Sequence, residues 1–234
     1  MSTLIIRGES NTPGMKDYTG AFLPESEAYR KAIGFESVVV TFDNRLPFTQ
    51  RSKQLLKRLE AVQVIDHIVR VAFFCHGWGD GIQAGFTRRN VKRLVEALRS
   101  VGFHGVGGAD IVLYCCSTGD DPDHDDHNSA PGVNVGDGSF ADTLRDELCK
   151  QGFRENRVVA HTTAGHVTQN PYAIFFEGHG SPVGGVGGTM PVTLDNKQLW
   201  STWVKLLKTP FRFEYPAMSI GQIHEHILAA KANV

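Results

Sequence analysis

No apolar run in this 234-residue chain approaches the roughly 20 residues that a membrane-spanning helix needs, so no such helix is expected. An excess of one charge is also lacking. The 24 basic and 25 acidic residues leave a formal net charge of −1, which gives the chain as a whole no attraction to nucleic acid or anionic lipid. Cysteine is sparse: Cys75, Cys115, Cys116 and Cys149. Two are adjacent and three sit at or near apolar runs, which excludes a disulfide framework and fits a reducing compartment, where a thiol is packing or reagent. The opening "MSTLIIRGESNTPG" has no basic start and only a short apolar patch, so no signal peptide is expected and the reading is cytoplasmic. Internal repeats are absent.

With 41% hydrophobic and 21% charged residues, the composition is that of an ordinary globular protein, and the length suits one α/β domain. Apolar strand-like runs occupy 3–8, 35–43, 67–77, 109–119, 156–165 and 172–178. Helical spacing appears at 49–63, with apolar positions 55, 56, 59 and 62, and at 88–102, with 91, 94, 95, 98 and 101. A third helix is expected over 138–152, with a serine N-cap and a terminal glycine. Further on, a glycine-rich loop (178–188) precedes helices at 196–207 and 219–231 that flank a strand at 211–215. Near-continuously apolar strands alternating with helices predict a mostly parallel sheet of about six strands with helices on both faces, an α/β/α sandwich.

Two of these strands end on chemistry. "VRVAFFCHGWGDG" (69–81) breaks off at His76 and Gly77, and "ADIVLYCCSTGDD" (109–121) breaks off at Cys115 and Cys116. Ligands of an open parallel sheet bind beyond the carboxyl ends of its strands. Forty residues separate His76 from Cys116, room for a loop, a helix and a strand, and a right-handed crossover sets such strands side by side or nearly so. An imidazole beside a thiol is what a cysteine nucleophile needs to become a thiolate. Gly77 leaves backbone N–H groups open to close approach, and those are candidate oxyanion donors.

"AFFCHG" followed by "IVLYCCSTG" resembles the caspase-like cysteine peptidases: caspases, metacaspases, gingipain-type peptidases and CHAT domains. The nearest likeness is to the CHAT form, whose second block reads small residue, cysteine, any residue, threonine, glycine, here Cys115 to Gly119. Cys115 stands where alanine is usual, and the likeness runs from about residue 67 to 165. The resemblance implies a caspase-like catalytic domain over 1–189, with 190–234 completing the same domain. It further implies a cysteine endopeptidase acting on a protein or peptide substrate, with Cys116 as nucleophile, His76 as proton-transfer partner and the amides of Gly77 and Cys116 holding the oxyanion. Neither cofactor nor metal is implied, and a regulatory protein partner is a further expectation. Asp120 and Asp121 would favour a basic substrate side chain, and His161, near the next strand end, would line the pocket or compete with His76 as base.

Each residue also has a plainer reading. Cysteines at strand ends are commonly buried filler, and alternation assigns Cys115, like Cys75, to packing, with Cys115 the fallback nucleophile. "DPDHDDH" (121–127) carries metal-ligand residue types, but its spacing matches no known site and a solvated loop is the expectation. Asp80 reads as a turn cap. Two other functions stay open. An α/β-hydrolase-type esterase would use Ser117, although Cys115 replaces the first glycine of G-x-S-x-G. A catalytically silent binding or scaffold module would keep the dyad without turnover.

Overall fold

The computed structural model describes residues 2–9, 22–33, 36–63, 67–104, 110–120, 136, 138–153, 156–161 and 173–177. In chain order these form β1 (Ser2–Gly8), α1 (Phe22–Ile33), β2 (Glu36–Phe42), α2 (Phe48–Glu60) and β3 (Ile68–Phe74). Three two-residue strands follow, β4 (Gly77–Trp78), β5 (Gly81–Ile82) and β6 (Phe86–Thr87). The rest are α3 (Val91–Ser100), β7 (Asp110–Tyr114), α4 (Phe140–Lys150), β8 (Arg157–His161) and β9 (Ala173–Glu177). The main sheet has six strands in the order β2-β1-β3-β7-β8-β9. All neighbours pair in parallel except β8 with β9, so the expected mostly parallel α/β sheet is what forms.

Strand order and handedness fix the layers. From β1 the chain steps outward to β2, then returns across β1 to β3 and continues to β7 and β8. Right-handed crossovers therefore put α1 on one face and α2, α3 and α4 on the other. The contacts agree: α2 meets α3 and α3 meets α4, while α1 packs on β1 and β3. The stripe expected on α3 (Val91, Leu94, Val95, Leu98) is buried, as is Val101 just beyond it. On α4, the Ser139 side chain accepts the Asp142 amide, the expected serine N-cap.

The α1 face is laid out in rungs across β3, β7 and β8. Asp110 lies between Arg70 and Arg157, followed by Ala72, Val112 and Val159. Next come Phe74 and Tyr114, whose rings stack at 4.7 Å and are both met by Tyr29 of α1. The Nε and Nη2 of Arg157 donate to the two Asp110 carboxylate oxygens, at 2.9 and 3.0 Å, and Arg70 stands 3.6 Å from the same carboxylate. The charged rung closes the amino ends of these strands, opposite the end where His76 and Cys116 lie. The segments expected at 178–188, 196–207, 211–215 and 219–231 lie outside the described residues. Among the described residues no helix is long and apolar enough to cross a membrane.

Candidate active site

β3 and β7 are adjacent and parallel, in register from Arg70 and Asp110 to Phe74 and Tyr114. The pairing continues one step further, because the Cys75 and Cys115 thiols lie 3.5 Å apart. One residue further on, the His76 backbone bonds to Gln83 and Cys116 lies in the turn after β7, so the two residues stand at the carboxyl ends of adjacent strands. Alternation decides the faces. Phe74 and Tyr114 lie under α1, so Cys75 and Cys115 point to the opposite face, and both are fully buried. His76 returns to the α1 face, where its ring meets the Phe22 ring edge-on at 5.1 Å. Cys116, in the turn beyond β7, is half-buried, while burial pushes the Cys115 thiol well above its ordinary range. A thiol so held is protonated at neutral pH and a poor nucleophile. Of the two vicinal cysteines, Cys116 is therefore the one placed for chemistry.

The turn after β7 is fastened on three sides. The Thr118 hydroxyl donates to the Cys115 carbonyl, the Gly119 amide to the His161 carbonyl, and the Asp120 amide to the Ser117 carbonyl, at 3.2, 2.8 and 3.1 Å. Within this turn Ser117 takes a left-handed φ of 52°. That conformation is costly for a residue with a side chain and is held by its surroundings. The first turn of α4 ties the two loops together: the Phe140 amide donates to the Gly79 carbonyl and the Ala141 amide to the Thr118 carbonyl.

Gly77 proves necessary for packing. A Cβ there would come within 2.5 Å of Thr118 Cγ2, 2.7 Å of Cys115 Cβ and 2.9 Å of the Cys116 carbonyl oxygen. Only glycine lets the His76 loop touch the Cys116 turn. The hairpin pairing also orients its amide. The His76 carbonyl accepts the Gln83 amide, which makes His76–Gln83 a bonded rung and Gly77–Ile82 the following non-bonded one. The Gly77 N–H therefore faces away from β5, as an oxyanion donor must.

The other expected residues fall as follows. His161 ends β8, is buried, and has its ring 6.3 Å from that of Tyr114, on the α1 face. Asp120 is half-buried at the end of the cysteine turn. Asp121 and the rest of the acidic loop to 132 lie outside the described residues. Asp80 pairs with Arg88 at 2.7 Å, and Arg88 also donates to the Gly138 carbonyl, so Asp80 holds the loop in shape. No group of three metal-ligating side chains occurs among the described residues.

Sequence reasoning missed two contributors. The first is Phe22, on a helix whose buried positions Phe22 and Tyr29 lie seven residues apart, on one helical face. The second is Gln83, whose side-chain oxygen accepts the His76 amide at 3.4 Å. Nothing in the sequence around Gln83 marks it, because the β4–β6 strands are too short to show a period of two. No family model and no curated protein matches the chain.

Proposed function

We propose that the protein is a caspase-like cysteine endopeptidase working through a Cys116–His76 dyad. The observation that carries this reading is the placement of His76 and Cys116 at the carboxyl ends of two adjacent, in-register parallel strands, with Gly77 packed directly on the cysteine turn. In the reaction, His76 takes the Cys116 proton and the thiolate adds to the scissile carbonyl carbon. The oxyanion so formed accepts the Gly77 N–H. Collapse breaks the C–N bond as His76 returns its proton to the leaving amine. Water, deprotonated by His76, then displaces the thiolate from the acyl-enzyme, and the thiolate regains its proton. Asp120, at the end of the same turn, favours a lysine or arginine on the acyl side of the bond. The scarcity of cysteine, with Cys75, Cys115 and Cys149 buried in the packing, fits a reducing, cytoplasmic setting.

The test is covalent labelling of the native chain with an acyl-lysine or acyl-arginine electrophile, mapped by mass, beside peptide-library cleavage. Cys116 should label before the other three cysteines, and Cys116→Ala should lose cleavage altogether. One observation favours a second reading. The left-handed φ at Ser117 is the strained geometry of a nucleophile on a strand-to-turn corner, which suits an esterase. If Ser117 reacts with a fluorophosphonate while Cys116 stays unlabelled, the esterase reading replaces the peptidase. If neither reacts, the chain is a silent binding module.

A further inference from the structure

Among the described residues the exposed large apolar side chains are Leu23 and Trp78, each 39% exposed, and both flank the candidate site. Leu23 adjoins Phe22, whose ring lies against His76. Trp78 follows Gly77 directly and rests against the half-buried Phe48 ring, with centroids 5.7 Å apart. The ribbon geometry separates their roles. Gly77 turns its Cα face to the cysteine turn, so alternation sends the Trp78 ring to the other side of β4, onto the start of α2. A substrate carbonyl at the Gly77 amide would thus have the acidic Asp120 turn on one side. An aromatic shelf one residue, about 3.3 Å, along the strand would lie on the other. An exposed indole packed at a tilt on a second ring, one residue from the Gly77 amide, is a surface that a substrate side chain can cover.

Resting on the peptidase reading, we propose that Trp78, backed by Phe48, is a specificity-determining residue. It forms a subsite for a bulky aromatic or branched aliphatic side chain adjacent to the basic residue at the scissile bond.

The experiment uses the full chain and a peptide library with lysine or arginine at the cleaved position and each neighbouring position scanned. Cleavage is read with the active protein, and binding is read with Cys116→Ala by fluorescence polarisation. Bulky apolar peptides should exceed their alanine counterparts at one neighbouring position, in kcat/KM and in affinity. Trp78→Ala should lower that ratio about tenfold or more, and Trp78→Phe should keep most of it. The ratio, unlike an overall loss of activity, would not move if Trp78 were merely structural. An unchanged ratio in Trp78→Ala, or no apolar preference at all, overturns the subsite while cleavage leaves the peptidase reading intact. Apolar-selective binding that depends on Trp78 without any cleavage upholds the subsite and removes the peptidase reading. No binding and no cleavage removes both.

Discussion

A methyl group at Gly77 would meet the Cβ of Cys115 at 2.7 Å and the Cγ2 of Thr118 at 2.5 Å, both in a fully buried setting. Neither neighbour can yield cheaply. Cys115 is pinned by its thiol contact with Cys75, and Thr118 by its hydroxyl bond to the Cys115 carbonyl. Gly77 is not among the positive-φ glycines, so the cost of substitution is overpacking and not torsion. Gly77→Ala should therefore destabilise by about 1–3 kcal/mol in urea unfolding. Because the displaced atoms carry Cys116, it should also depress the proposed peptidase activity at temperatures where the variant remains folded. A variant with full stability and full activity would show that the two loops do not touch as described. The same residues show how the sequence conveys a site. His76, Gly77 and Cys116 are legible because they interrupt apolar strands. Cys115 lies buried beside Cys75, the packing role that alternation along the strand assigns it. Gly77 reads from sequence as open space for substrate, yet its first role is close packing, since a missing side chain does not announce what fills its place.

At the scale of elements, α4 is the piece that locks the two site loops to each other. Its first turn spends the Phe140 and Ala141 amides on the carbonyls of Gly79 and Thr118, and its N-cap is the fully buried Ser139. Ser139→Ala removes the acceptor of the Asp142 amide and should cost about 1 kcal/mol. The loss should appear as a lower Tm and as a larger fractional loss of the proposed peptidase activity than stability alone explains, because fraying of that turn frees both loops. If activity follows only the folded fraction, α4 supports the fold without positioning the site. The long elements were readable in the sequence for a physical reason. Buried parallel strands are continuous apolar runs, and α2 and α3 carry wide apolar stripes. α1 was not expected, since the buried face described for it is Phe22, Ser26 and Tyr29, a stripe diluted by a polar residue. β4, β5 and β6 were not expected either, because two residues cannot display a period. Both gaps fall beside the site, which is why Phe22 and Gln83 escaped notice.

At the scale of the whole molecule, α1 seals one face of the sheet over two phenols and a charged rung. Tyr29 is fully buried and its hydroxyl is pushed from 10.0 up to about 12, chiefly by that burial and partly opposed by Arg70. Tyr114 beneath it is raised as well, again chiefly by burial. The sign of the pH dependence follows. Above about pH 10 the unfolded chain gives up phenolic protons that the folded chain still holds, so the unfolded state binds fewer protons and stability falls as pH rises. The contribution is intact below pH 10 and is lost through the window up to about 12, on the order of 3 kcal/mol for Tyr29 over its two units. Urea unfolding at pH 8, 10 and 11.5 should trace that decline. Tyr29→Phe, which keeps the ring packed on Phe74 and Tyr114 but removes the ionisable group, should flatten the slope while lysine and tyrosine titration elsewhere is common to both proteins. Equal slopes for the two would mean that the Tyr29 hydroxyl is open to water and that α1 does not seal this face. The cap on His76 depends on the same helix, through Phe22. A helix loosened by alkali should therefore uncover the candidate site before the sheet itself unfolds, and the proposed peptidase activity in the same buffers should fall at a lower pH than the unfolding signal.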